Sequence, residues 1–152
     1  ASEDQLKPDP RYGDKVLSRF INCIMLDGKK SVAQRIVYDA LDEIEKRTNG
    51  DPPAIDIFHQ ALSNVKPDVE VRSRRVGGAN YQVPMSVNRR RQQSLAFRWI
   101  INAARSESGK PMYRRLAREL WDAAHKEGKA VNTRDQTHRM AEANKAFAHF
   151  AW

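Results

Sequence analysis

Guanidinium groups are the chemistry this chain carries in quantity. Between residues 72 and 118 stand Arg72, Arg74, Arg75, Arg89, Arg90, Arg91, Arg98, Arg105, Lys110, Arg114, Arg115 and Arg118, with one carboxylate among them, Glu107. Twelve cations against one anion give that segment +11 in a chain of formal net charge +8, so the remaining residues sum to −3. A planar guanidinium meets phosphate oxygens through two parallel N–H bonds and stacks on bases, which an ammonium does less well. Surface Lys and Arg that merely solvate a face come mixed with Asp and Glu, and here they do not. A one-sided cluster repels itself without a counter-charge, so it points to an acidic partner, most simply nucleic acid. An acidic protein or an anionic membrane surface are the other partners of that charge.

Catalytic chemistry has no comparable signal. Gly77-Gly78 lies between two strand patterns and is turn chemistry, not a nucleotide-binding loop. His59, His125, His138 and His149 are scattered. His138 and Glu142 are four apart on a predicted helix, a spacing found in metal sites, but no third ligand accompanies them and the expectation is a surface pair. The lone cysteine, Cys23, sits beside Ile24 and Met25 and reads as a small core residue, inert as a nucleophile. One cysteine excludes an internal disulfide and a multi-cysteine zinc site. No metal or cofactor is expected. No run of about 18 apolar residues suggests a membrane span, and no secretory signal pattern opens the chain.

The elements that must position the arginines follow from periodicity. At 152 residues, with 40% hydrophobic and 30% charged, the chain is expected to form a single domain, 1–152, around one core. Residues 1–11, with Pro8 and Pro10, read as an extended arm. Val16, Leu17, Phe20, Ile21, Ile24 and Met25 make one stripe of a helix over about 14–27, stopped by Gly28. Ser31 with Gln34 resembles a capping box for a second helix ending at Asn49-Gly50. Asp51 before Pro52 and Pro53 predicts the start of a third, closed by Pro67.

Period-two alternation over Val69, Val71 and Ser73, then over Tyr81, Val83, Met85 and Val87, flanks Gly77-Gly78. That predicts a protruding β-hairpin over 69–87. A fourth helix follows from about Arg90 to Arg105, with Leu95, Ala96, Trp99, Ile100 and Ala103 inward and Arg91, Arg98, Asn102 and Arg105 outward. Pro111 begins a fifth, ended by Gly128. Thr133 with Gln136 is a second capping-box pattern, for a last helix to about Ala148. That helix is so poor in large apolar groups that its docking is expected to need a partner. The fold class is mainly α: about six helices, with one hairpin between the third and fourth.

The basic residues thus lie on a ribbon and two polar helix faces. Phosphate contact there releases counterions and makes affinity salt-dependent. RNA is favoured over DNA, because a dispersed basic surface without a groove-reading helix suits recognition of shape and backbone. Arg74 and Arg75, beside the turn, are expected as the most exposed contacts. Tyr81 and Met85 share a face with Val83 and Val87 and are expected to pack under the ribbon rather than touch bases. A DNA-binding architectural protein and an RNA-processing enzyme with an unrecognised site are the competing functions.

Three stretches carry a family resemblance: VEVRSRRVGGANYQVP from Val69 to Pro84, INCIMLDGKKS from Ile21 to Ser31, and HRMAEANKAFAH from His138 to His149. In order and with the helices between them, they resemble small-subunit ribosomal protein seven of the bacterial type, from about Pro8 onward. The resemblance implies a six-helix bundle with a hairpin after the third helix. It also implies a non-catalytic, primary binder of the 3′ major domain of small-subunit ribosomal RNA that nucleates head assembly. Exit-site tRNA and mRNA near the decoding region, and small-subunit proteins nine and eleven, are the implied neighbours, on a cytoplasmic or organellar ribosome.

Carried over by position, the implied RNA contacts are Lys29 and Lys30, then Arg72, Arg74 and Arg75 on the hairpin and Arg89, Arg90 and Arg91 at its base. Lys110, Met112, Arg114 and Arg115 follow at the fifth helix, and the basic helix faces add Arg98, Arg105 and Arg118. The hairpin tip, Val76, Gly77, Gly78, Ala79, Asn80 and Tyr81, is the part implied to approach tRNA and mRNA. The chain departs from the family in three places. Ala1-Ser2-Glu3-Asp4 stands where an arginine-rich arm is usual, Ala151 where an arginine commonly precedes the last Trp, and Asn88-Arg89 where Arg-Pro is frequent.

Overall fold

Three phenylalanines from three helices meet edge to face at the centre of the protein. Phe20 lies 5.2 Å from Phe58 and 5.2 Å from Phe97, ring centre to ring centre, the offset geometry that aromatic quadrupoles favour. The structure is a computed structural model that describes residues 6–151. Its elements run α1 (Lys15–Ile24), α2 (Lys30–Thr48), α3 (Ala54–Val65), β1 (Val69–Val76), β2 (Ala79–Ser86), α4 (Arg89–Ser106), α5 (Met112–Ala124) and α6 (Lys129–Ala143), then a terminal 3-10 helix (Lys145–Phe150). The mainly helical class and the hairpin between the third and fourth helices are as the sequence predicts.

Apolar stripes of all six α-helices close one core around Leu17, Phe20, Leu41, Phe58, Ile100, Leu116 and Leu120. The hairpin adds Val83 and Glu70 to the buried residues but none to that central cluster. It therefore packs beside the bundle, against α6, rather than into its core. β1 and β2 pair antiparallel from Val69↔Ser86 to Val76↔Ala79, leaving Gly77 and Gly78 as a two-residue loop. Both have positive φ, +58° and +83°. That is the type I′ combination, whose twist matches the strands it joins.

Helix starts follow local rules at two places, α1 and α4, and take a remote side chain at two others, α3 and α6. Asp14 caps α1 by accepting from the Leu17 N–H at 2.9 Å, and Asn88 caps α4 by accepting from Arg91 N–H at 2.9 Å. Neither predicted capping box forms. α2 begins at Lys30 without a side-chain cap. Thr133 lies inside α6, where its hydroxyl donates back to the Lys129 carbonyl. Asp51 does not cap α3; Glu45 Oε2, from α2, accepts from the Ala54 N–H at 2.7 Å. Gly128 is the residue before α6 rather than the end of α5. The last helix also stops at Ala143, with 3-10 geometry after it.

The extended arm expected over 1–11 is corrected at its C-terminal end; residues 1–5, with the acidic start, lie outside the described residues. Asp9 is only 3% exposed and gathers the Arg11, Tyr12 and Asp14 N–H groups and the Tyr38 hydroxyl. Those bonds fold residues 10–12 into a turn, and Arg11 pairs with Asp42 of α2. A carboxylate that accepts several backbone N–H groups replaces the water it loses on burial.

Candidate nucleic-acid interface

The register divides the hairpin into two chemically different faces. Glu70, Arg72 and Arg74 stand opposite Met85, Val83 and Tyr81, whereas Val71, Ser73 and Arg75 stand opposite Pro84, Gln82 and Asn80. Directly paired residues share a face. The first face turns inward. Arg74 Nη1 donates to the Phe150 carbonyl, and the Tyr81 ring lies 5.1 Å from Phe147 and 4.9 Å from Phe150. Tyr81 packs as expected, but Arg74 does not share the exposure of Arg75. On the outer face Arg75 and Asn80 are exposed, and Gln82 Nε2 donates to Ser73 Oγ at 2.9 Å.

Two arginines at the hairpin root share one carboxylate. Arg72 Nε donates to Glu70 Oε1 at 2.6 Å and Arg91 Nε to Glu70 Oε2 at 3.2 Å. Burial alone would raise the Glu70 carboxyl, but the hydrogen bonds and charges of Arg72 and Arg91 outweigh it and hold its pKa below the ordinary value. Glu70 is two residues outside the segment whose charge stood out. Its partners on the same strand and on α4 were not visible from local spacing.

The exposed side of α4 extends the surface. Arg91, Arg98 and Arg105 recur every seven residues, and Asn102 falls between them, so they line one side of the helix. Arg98, Asn102 and Arg105 are exposed. Arg105 Nη2 donates to the Ile24 carbonyl at 3.2 Å, fastening this side to the end of α1, just before exposed Lys29 and Lys30. At the other end exposed Arg89 and Arg90 join the hairpin root. A shallow groove there is lined by Arg19, Asn22, Asn88, Arg90, Arg91 and Gln93. Arg19 and Asn22, on α1, had no sequence signal apart from their helical position. Cys23 also lines it and is exposed, which corrects its expected place in the core.

A second basic group gathers at the start of α5. Arg115 Nη1 donates to the carbonyls of Ala104, Arg105 and Glu107 at 3.3, 3.4 and 2.6 Å. It adds a donor to carbonyls at and just beyond the end of α4 and joins the two groups there. Lys110, Arg114 and Arg118 line a groove between α2 and α5 together with Glu43, Arg47 and Trp121. Arg47 lies over the Trp121 ring, 4.1 Å from its centre, a cation–π contact where its sequence position suggested only a helix-end charge. Met112, expected among the contacts, packs half-buried against the core. Glu107, the one carboxylate of the basic segment, pairs with Lys129 of α6 at 2.7 Å, so its charge is taken up by a cation from outside that segment.

His138 does not pair with Glu142. Its Nε2 accepts from the Asp68 N–H at 3.1 Å, and Glu142 takes Lys145 at 2.9 Å. Among the described residues no helix is long and apolar enough to cross a membrane.

Residues 1–145 match the model of a family described as ribosomal protein S7p/S5e. The chain is 59% identical over 152 residues to the small ribosomal subunit protein uS7 of Rhodopirellula baltica, spanning 100% of this chain and 97% of that protein. It is 55% identical over 152 residues to the protein of the same name from a Chelativorans species, spanning 100% of this chain and 96% of that one. With the uS7 of Rhizorhabdus wittichii it shares 58% identity over 148 residues, covering 97% and 94% of the two chains.

Proposed function

The chain belongs to the ribosomal protein S7p/S5e family, and from that premise we propose that it acts as a single, non-catalytic RNA-binding domain of the small ribosomal subunit. In this reading it binds the 3′ major domain of the small-subunit ribosomal RNA and nucleates assembly of the head, on a cytoplasmic ribosome. The contact surface is the exposed side of α4 with Arg89, Arg90, Arg98 and Arg105, continued by Lys29 and Lys30 at one end and the hairpin at the other. Lys110, Arg114 and Arg118 add a second patch. The hairpin tip, Val76–Tyr81, approaches exit-site tRNA and mRNA, and small-subunit proteins nine and eleven are its protein neighbours.

The observation that supports this reading most is the continuity of exposed cations from the hairpin root along α4 to the α1–α2 turn. It is a strip for tracking a phosphate backbone, made of cations from the hairpin root, α4 and the α1–α2 turn. Salt-dependent affinity is the physical consequence. The test is filter binding of the full chain to a ribosomal RNA junction fragment and to duplex DNA across a salt series. Tighter binding to the junction RNA, with a steep salt slope, is expected. Equal affinity for the two would overturn the reading.

A further inference from the structure

A two-stranded hairpin is marginal by itself in water, and this one adds nothing to the central core cluster. Arg91 of α4 ties down its root through Glu70, and α6 with the 3-10 helix after it supports the rest. At its root, His138 of α6 accepts from the Asp68 N–H at 3.1 Å. Toward its tip, Tyr81 lies in the notch between Phe147 and Phe150, whose rings are nearly parallel, 9° apart in plane and 6.3 Å between centres. The 3-10 geometry accounts for that notch. With three residues per turn, side chains at i and i+3 eclipse, so Phe147 and Phe150 stand one above the other toward the strand. The Phe150 carbonyl meanwhile takes Arg74 Nη1.

We infer that the terminal 3-10 helix is a positioning brace: it occupies the hairpin face bearing Arg74 and Tyr81 and so presents the face bearing Ser73, Arg75, Asn80 and Gln82 to RNA. The inference rests on the RNA-binding reading above. The occupied face offers an apolar notch and an arginine already engaged. The presented face offers an exposed guanidinium for phosphate and amide groups that both donate and accept at base edges. RNA is the occupant that this charge and donor set suit, because the face has a cation and no carboxylate. The brace residues themselves touch no phosphate in this arrangement.

The test uses the full chain and a transcript of the 3′ major domain. Hydrogen exchange on the free protein reads the brace without RNA, and the salt slope of binding reads the contact. In the Phe147→Ala/Phe150→Ala double variant, hairpin amides should exchange about tenfold faster as local opening becomes easier. Affinity for the transcript should fall several-fold with the slope unchanged. Tyr81→Phe, which keeps the ring against Phe147 and Phe150, should leave hairpin exchange on the free protein unchanged. Arg75→Ala should reduce the slope by about one phosphate contact, and Arg74→Ala should leave it unchanged.

Unchanged hairpin exchange in the double variant would overturn the brace. An Arg74→Ala slope loss equal to that of Arg75→Ala, or no loss with Arg75→Ala, would overturn the assignment of faces. If the unaltered chain binds duplex DNA as tightly as the transcript, the ribosomal reading fails instead, while the exchange result still decides the brace.

Discussion

Glu70 of β1 holds Arg91 of α4 across the hairpin root, Nε to Oε2 at 3.2 Å, and its second oxygen takes Arg72. The carboxylate is nearly buried while both guanidinium groups are partly in water, with side chains 37% and 46% exposed. Solvent screens such pairs, so Glu70→Ala should cost about 1–2 kcal/mol rather than the larger loss of a fully buried pair. Because the folded-state pKa is lowered, this contribution is present above the ordinary glutamate value of 4.5 and lost as pH falls through the lower folded value. Chemical denaturation between pH 3 and 7 checks this; in Glu70→Ala the acid-side loss of stability should be shallower.

Glu119 has the opposite sign. Burial raises its carboxyl, Asp122 adds to the rise, and the Ala130 N–H at 2.9 Å only partly offsets it. A raised folded-state pKa gives stability that is present in acid and lost as pH rises through that value, so ionised Glu119 is a net cost at neutral pH. Glu119→Gln keeps an oxygen for Ala130 and removes the charge. It should raise stability at pH 7–8 by no more than about 1 kcal/mol, an advantage that vanishes in acid. Thermal melts of the two chains at both pH values measure the difference.

Two glycines with positive φ should respond differently to alanine. At Gly78, φ +83°, an added Cβ meets nothing within 4 Å; at Gly128, φ +92°, it comes 3.0 Å from Asp122 Cβ and 3.0 Å from Glu119 Oε1. Gly78→Ala should cost about 1 kcal/mol from backbone strain alone. Gly128→Ala adds overpacking at the α5–α6 junction and should cost about 2–3 kcal/mol. Urea denaturation of both variants provides the comparison.

Phe20→Ala empties the centre of the aromatic trio and should cost about 3–5 kcal/mol. Phe20→Leu keeps most of the volume and should lose about 1.5 kcal/mol or less. A comparable loss in the two variants, read from denaturation midpoints, would rule out cavity formation as the dominant effect.

Arg98 and Arg115 should separate binding from stability. Arg98 is exposed on α4, and Arg98→Ala should lower the salt slope of RNA binding by about 0.9 with little change in melting temperature. Arg115 is committed to three backbone carbonyls. Arg115→Ala should destabilise the α4–α5 junction by about 1–3 kcal/mol before it changes the slope. Filter binding and thermal melting on the same preparations distinguish the two.

Much of this surface was legible in the chain. Alternation around Gly77-Gly78 located the hairpin, and the spacing of Arg91, Arg98 and Arg105 located the basic side of α4. The commitment of each cation was not legible. Arg72, Arg74 and Arg75 have the same local appearance, yet one meets Glu70, one meets the Phe150 carbonyl 76 residues away, and one is exposed on the outer face. Cys23 went astray for a related reason: it is flanked by apolar residues, but it falls on the side of α1 that turns away from the core.

The sequence by itself determined the helical class, the glycine turn, the concentration of positive charge and the family, because these depend on residue type and on neighbours within a few positions. Tertiary structure alone decided which helix starts are capped from afar, by Glu45 on α3 and Glu119 on α6. It also decided which hairpin face is covered. A buried N–H or carbonyl must find a partner wherever packing brings one, and the partners of Ala54, Ala130 and Arg74 are 9, 11 and 76 residues distant. No local rule reaches that far, so the chain announces a basic ribbon and the fold chooses the side of it that meets the solvent.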